Sequence, residues 1–266
     1  MRVKMKDKSI LLATNILFKH RLNKTGLKSL PNHLIPNNIE DAYKVQNELK
    51  ILYLTLINNH IIGKKVGCTN KLAQEQLDIF EPFYGNLFSK FTENSGCLLK
   101  SSKFFKPFIE PEISFSLKKD ININDAPFNL NNAKDLFDYM FPSIELVDFR
   151  FGENTKDVGI INLIMSNGGS EFYIKSNNIF KIDEEDLSNQ DVSIFINQKI
   201  METGNTNLVL NHPLNSAIWL INKLAEIGEP MLKGQFITTG TCTKAIRLEK
   251  NSHIKCDFGS LGTVEF

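Results

Sequence analysis

The chain has 266 residues, 42% of them apolar, with 31 Lys+Arg against 30 Asp+Glu. That length and apolar share suit one large domain or two small ones with a sizeable core. The near balance of charge excludes the basic surface that nucleic acid or an anionic membrane would require.

The four cysteines, Cys68, Cys97, Cys242 and Cys256, form no Cys-x-x-Cys pair, and no Cys/His spacing suits zinc. A reducing, cytoplasmic compartment is expected. No apolar run is long enough to span a membrane.

Met1 to Lys8 is basic and Ile10 to Phe18 mostly apolar, which superficially resembles a signal peptide. Thr14 and Asn15 interrupt the run and no small-x-small cleavage site follows, so an amphipathic first helix is expected. Ile35-Pro36-Asn37-Asn38 reads as a turn. Asp41 to Asn59 then carries Ala42, Val45, Leu49, Leu52 and Leu56 at close to helical spacing.

Gly63-Lys64-Lys65-Val66-Gly67-Cys68-Thr69 is a short β-like run whose two lysines face opposite ways if it is a strand. One of them then points inward, where it can bind a carboxylate or act as an acid. A short helix is expected around Lys71 to Leu77.

From about residue 100 short β-favouring runs recur: 108–117, 143–149, 172–174, 192–196, 236–239, 245–248, 254–258 and 263–266. One helix interrupts them. His212-Pro213 opens it, Leu214, Ala217, Ile218, Ile221, Leu224 and Ala225 form its apolar stripe, and Gly228 stops it. The pattern is α+β: an N-terminal helical region over 1–70 packed on a β-rich body over 71–266, the two forming one structural unit.

The chemistry concentrates in three glutamates. Glu110 and Glu112 flank one residue in an apolar strand, so they share a face roughly 6.5–7 Å apart along the backbone. Glu145 lies in Ile144-Glu145-Leu146-Val147, also apolar. An unpaired carboxylate inside a protein is costly, and carboxylates aimed at one spot need a cation. An all-oxygen donor set suits Mg²⁺ or Mn²⁺ better than Zn²⁺. The plain alternative is a solvated Glu-x-Glu face.

Asn167-Gly168-Gly169-Ser170 and Thr238-Thr239-Gly240-Thr241 are small-residue loops that let a ligand approach the backbone, and neither is a phosphate loop. The five histidines are scattered, and no Gly-x-Ser-x-Gly or His-Glu-x-x-His motif occurs.

In order and spacing these segments resemble the hydratase/decarboxylase family typified by 2-keto-4-pentenoate hydratase, of the fumarylacetoacetate hydrolase superfamily. The resemblance spans nearly the whole chain. Ala42-Tyr43-Lys44-Val45-Gln46 is similar to the family's early helix motif, and Gly63 to Thr69 to its lysine segment, with Lys65 in the lysine position. Glu110-Pro111-Glu112 resembles its Glu-x-Glu strand, and Glu145-Leu146-Val147-Asp148-Phe149-Arg150 its Glu-x-x-Asp-x-Arg segment. Asn167-Gly168, His212-Pro213-Leu214, Trp219-Leu220, Thr239-Gly240-Thr241 and Phe258-Gly259-Ser260-Leu261-Gly262 follow in the family's order.

The resemblance implies a mixed β-roll body with a helical cap, and Mg²⁺ or Mn²⁺ on Glu110, Glu112 and Glu145. It also implies a homo-oligomer, which in some members associates with a partner enzyme. Asp148, Arg150, Asn167, Thr239 and Thr241 are implied to bind substrate, with Lys65 binding its carboxylate or donating a proton. The implied activity is a lyase of aromatic catabolism that adds water to a 2-hydroxy-dienoic acid to give a 4-hydroxy-2-oxo acid.

The chain departs from the pattern at Glu81-Pro82-Phe83-Tyr84-Gly85: Phe83 stands where many hydratases carry the Asp that assists proton transfer. Glu81 and Tyr84 are the substitutes expected to hold the water. Lys64 replaces the usual aromatic, and Ser166 a common Asp. Decarboxylation of a 4-oxalocrotonate-like 2-oxo-enedioate tolerates the loss of that Asp better. Acylpyruvate C–C hydrolysis would need a His–Glu pair, for which only His33 and Glu40 offer themselves. A non-catalytic partner subunit is the remaining reading, against which an intact glutamate triad argues.

Overall fold

The computed structural model describes residues 5–151, 155–182 and 184–266. Two helices open it, α1 (Asp7–Leu22) and α2 (Ile39–Leu56). Then come β1 (Ile61–Gly67), α3 (Lys71–Leu77), β2 (Phe83–Phe88), β3 (Thr92–Asn94), β4 (Pro107–Leu117), the short α4 (Leu130–Ala133) and β5 (Phe137–Asp148). The second half holds α5 (Thr155–Met165), β6 (Ser170–Lys175), β7 (Phe180–Lys181), β8 (Asp191–Ile196) and β9 (Lys199–Asn205). It closes with α6 (Pro213–Glu226), β10 (Phe236–Thr241), β11 (Ile246–Arg247), β12 (Ile254–Asp257) and β13 (Thr263–Glu265).

The helices start where their sequences offer caps. Asn38 Oδ1 accepts the Asp41 N–H at 2.8 Å ahead of α2, and Asn70 Oδ1 accepts that of Ala73 ahead of α3. At α6, His212 Nδ1 accepts the Leu214 N–H at 3.0 Å, and Pro213 occupies the first turn, where its missing N–H costs nothing.

The large sheet is mixed, in the order β2-β1-β10-β4-β5-β6-β3, with β11 beside β4 and β7 beside β5. The second sheet runs β13-β12-β8-β9. The main core joins Ile113 and Ile144 of the large sheet to Ile194 and Ile254 of the small one and to Leu214 and Ile221 of α6. Each such buried side chain contributes about 1.5–3 kcal/mol. A second cluster joins Ile10 and Leu17 of α1 to Val45 of α2, Phe83 of β2 and Ile164 of α5. The cap is thereby tied to the sheet at β2, next to Lys65.

The architecture is the expected α+β one. β1 pairs with both β10 and β2, so the helical region ends with α2 and β1 belongs to the sheet. No helix among the described residues is long and apolar enough to cross a membrane.

A three-glutamate candidate metal centre

Strand register builds the site. β4 and β5 are antiparallel with Glu110 opposite Glu145, and Glu112 lies two residues along on the same face. One carboxylate oxygen from each of the three lies within 4.8 Å of the others. Glu112 and Glu145 are fully buried, and Glu110 is half-buried and lines an open cavity.

β10 flanks β4 on the other side and carries a bulge. Thr238 sits opposite Ser114 but Thr241 opposite Glu112, so β10 spends one residue more than β4 over this stretch. Gly240 takes it up at φ +101°, where a Cβ would meet Thr69 Oγ1 at 2.1 Å. The bulge turns the Gly240 N–H onto Glu112 Oε2 at 2.9 Å, and the Thr238 hydroxyl donates to the same oxygen. A hydroxyl cluster lies behind it: Ser114 Oγ is 2.9 Å from Ser143 Oγ, and Ser143 Oγ donates to the Glu112 carbonyl at 3.3 Å.

Lys65 comes from β1, in register with Thr238. Its Nζ forms an ion pair with Glu145 Oε2 at 3.1 Å, outside hydrogen-bonding geometry, and lies 5.3 Å from the centre of the Phe83 ring. Thus β1, β10, β4 and β5, adjacent in the sheet, converge one ammonium and three carboxylates.

The electrostatics call for a further cation. Burial pushes Glu110 up to about 7 against the pull of Lys65, with Glu145 adding to the rise. Burial also holds Glu112 well above the usual carboxylate range, with Glu145 adding to it. Burial works against charge on Lys65, but Glu145, Glu110 and Glu112 outweigh it and keep its ammonium above the ordinary lysine value. Glu112 Oε1 and Glu145 Oε1 are buried without a hydrogen-bond donor, and Glu145 Oε2 has the Lys65 ammonium beside it. Oxygens of this kind, with Glu112 Oε2 fixed from behind, fit Mg²⁺ or Mn²⁺.

The cavity above the triad holds about 350 Å³. Phe83, Phe108 and Phe149 make its apolar wall, and Asn70, Thr241 and Lys244 add polar groups to its lining. Phe83 therefore does face the site.

The other residues singled out in the sequence lie elsewhere. Strand alternation puts Tyr84 on the opposite face of β2 from Phe83, where its ring stacks on Tyr43 at 4.5 Å. It borders a different cavity, between α1, α2 and α6. Glu81 is half-exposed and pairs with Lys223 of α6 at 3.1 Å. Neither reaches the triad, which corrects the expectation that they hold the water.

Asp148 accepts the N–H groups of Phe105 at 2.6 Å and Lys106 at 2.8 Å and pairs with Arg150 at 3.2 Å. Arg150 also grips Glu171 at 2.8 Å, and Glu171 binds Arg21 and Lys24. These groups knit the end of β5 to α1 and β6; they do not line the cavity. Asn167 clamps the Asn86 backbone, accepting its N–H at 2.7 Å and donating to its carbonyl at 2.9 Å. That holds Gly168 against Phe83 and the stem of Lys65. Thr239 turns away and donates to the Ile113 carbonyl at 2.8 Å, whereas Thr241 lines the cavity.

Thr238 and the Gly240 N–H are among the site groups that the sequence alone did not single out. Their signal was the glycine itself: a Gly inside a β-favouring run marks a bulge.

No family model matches the chain. It is 33% identical over 234 residues to 2-oxo-hept-4-ene-1,7-dioate hydratase of Escherichia coli, covering 85% of each protein. Its structure is similar to that of 4-oxalocrotonate decarboxylase from Pseudomonas putida G7 complexed with magnesium and adipate. The TM-score is 0.92 at 29% identity, over 99% of this chain and 98% of the other. Fumarylpyruvate hydrolase from Pseudomonas aeruginosa in complex with Mn²⁺ and pyruvate shares the fold, with a TM-score of 0.58 at 11% identity over 76% of this chain and 86% of that one. The chain belongs to the hydratase/decarboxylase family of lyases typified by 2-keto-4-pentenoate hydratase.

Proposed function

We propose that this chain adds water to a short 2-hydroxy-dienoic acid, through its 2-oxo-enoic form, giving a 4-hydroxy-2-oxo acid. The observation that carries this reading is the meeting of Glu110, Glu112 and Glu145 with the Lys65 ammonium, 3.1 Å from Glu145, at a cavity of about 350 Å³. When bound by the three glutamates, Mg²⁺ or Mn²⁺ supplies Lewis-acid polarisation of a substrate oxygen.

Lys65 is the proton carrier. Its ammonium, 3.1 Å from Glu145 and on the cavity wall, is placed to deliver a proton to the substrate's carbon chain. The amine left behind is then the base that takes a proton from the incoming water. The hydroxyl of that water adds at C4, and the proton released as the 2-hydroxyl becomes the ketone ends on the carbon chain, so one water is consumed and Lys65 ends as it began. Phe83, Phe108 and Phe149 pack the hydrocarbon chain and limit bulk water. Thr241 is the threonine placed to touch substrate. Asp148, Arg150, Asn167 and Thr239 serve as positioning residues.

A second reading is decarboxylation of a 2-oxo-enedioate, and Phe83 favours it. Loss of CO₂ leaves a carbon that needs only a proton from Lys65, with no water to activate and so no carboxylate required at position 83. The similarity to the decarboxylase with a TM-score of 0.92 supports the same reading. C–C hydrolysis draws no support, since His33 is exposed and Glu40 pairs with Lys44. The four unpaired cysteines support a reducing, cytoplasmic setting. The family likeness supports a homo-oligomer that can associate with an enzyme of the same pathway.

Product identification decides between the two reactions. 4-Hydroxy-2-oxopentanoate formed from 2-hydroxypenta-2,4-dienoate supports water addition. CO₂ released from 4-oxalocrotonate, with the monoacid untouched, moves the chain to decarboxylation. Turnover of neither overturns both.

A further inference from the structure

Resting on the lyase reading of this same site, we infer that Lys244 makes the enzyme selective for dicarboxylates by holding the substrate's distal carboxylate. The argument starts from the loop between β10 and β11. Thr241 lies opposite Glu112, and Ile246 lies opposite Ile109. The intervening residues 242–245 therefore leave β4 on one side of Glu110 and rejoin it on the other. They cross the gap between β10 and β11 alongside the half-buried Glu110.

The loop is tied down along its length. The Cys242 N–H donates to the Pro111 carbonyl at 2.8 Å. The Thr241 hydroxyl donates to the Thr243 carbonyl at 3.1 Å, and the Thr243 hydroxyl donates to the Lys244 carbonyl at 2.9 Å. Three residues of chain reach at most about 10 Å, so Lys244 stays close to Thr241 and hence to the triad.

Lys244 lines the same cavity as Glu110 and Lys65. The two lysines are in opposite situations. Lys65 is buried among three carboxylates. Lys244 is exposed and, among the described residues, has no ion-pair partner. The wall formed by Phe83, Phe108 and Phe149 is apolar. A cavity lined by Glu110 of the triad, the buried Lys65, three phenyl rings and the exposed Lys244 offers the groups that complement an α,ω-diacid.

Titration calorimetry on the Mg²⁺-loaded protein tests this with adipate and hexanoate, which match in carbon number and differ in the second carboxylate. The wild type is expected to bind adipate more tightly than hexanoate by about fivefold, the upper range for an exposed ion pair. Lys244→Gln is expected to erase that ratio, and Lys244→Arg to restore it. The ratio of kcat/KM for 2-oxo-hept-4-ene-1,7-dioate over 2-hydroxypenta-2,4-dienoate should fall by a similar factor in Lys244→Gln. A wild type without diacid preference, an undiminished ratio in Lys244→Gln, or equal losses on both ligands would overturn the inference. If the wild type turns over neither acid, the lyase reading fails, while the adipate-to-hexanoate ratio still decides the role of Lys244.

Discussion

Glu112 illustrates how one side chain is prepared as a candidate metal ligand. Its Oε2 is held by the Thr238 hydroxyl and the Gly240 N–H, leaving Oε1 without a donor. Outer contacts of this kind typically tune metal affinity by about 10–100-fold. Thr238→Val keeps the shape and removes the hydroxyl, so Mg²⁺ should bind about tenfold more weakly with the fold intact by circular dichroism. An unchanged dissociation constant would show that the hydroxyl has no part in ligand orientation. Lys65→Met removes the proton carrier and should lower kcat by roughly 10²–10⁴-fold while calorimetry still detects Mn²⁺ binding. A kcat within a factor of ten of wild type would reassign the proton transfer. At this scale the glutamates were legible because two-residue spacing in an apolar strand survives folding. Tyr84 was misread because the same alternation turns it away from Phe83. Glu81 was misread because Lys223, distant in sequence, claims it.

Among the elements, the β10 bulge and the two faces of β1 position the chemistry. Gly240→Ala places a Cβ against Thr69 at φ +101°, so it should cost about 1–3 kcal/mol in chemical denaturation and weaken Mg²⁺ binding together. Loss of stability without loss of metal affinity would separate the bulge from the site. On the other face of β1, Lys64 Nζ meets Asn86 at 2.9 Å and Glu229 at 2.9 Å, pinning the strand to the segment after α6. Burial draws the Lys64 ammonium below its ordinary value. Burial would raise Glu229, but Lys64 and Lys50 outweigh it and hold its carboxyl below its ordinary 4.5. A carboxyl lowered on folding adds stability above its unfolded value and loses it as pH falls through the folded one. Glu229→Gln should therefore cost about 2 kcal/mol at pH 7, discounted for partial exposure, and the gap to wild type should close as pH drops below about 4.5. A gap independent of pH would mean that packing, not charge, is what Glu229 contributes. Four helices and most strands were legible from period and caps; α4 and α5 were not expected. β9 was not, because Lys199–Asn205 has no buried side chain and so no apolar alternation.

For the whole molecule, the sheet order β1-β10-β4-β5 gathers groups more than 80 residues apart in sequence at one cavity. Composition and charge could exclude partners but not foretell this order; the family resemblance supplied the mixed β-roll, not the strand order. By the same order, a metal held by the triad would cross-link β4 and β5, which otherwise bring three carboxylates against one ammonium. Most direct is the initial rate of ultraviolet absorbance loss from 2-hydroxypenta-2,4-dienoate and 4-oxalocrotonate, with EDTA-stripped protein titrated with Mg²⁺, in wild type and Glu112→Ala. The account predicts no rate without the metal, a saturable return with Mg²⁺ on at least one acid, and a loss of at least about a hundredfold in Glu112→Ala. A full rate in EDTA, or an undiminished one in Glu112→Ala, would contradict it.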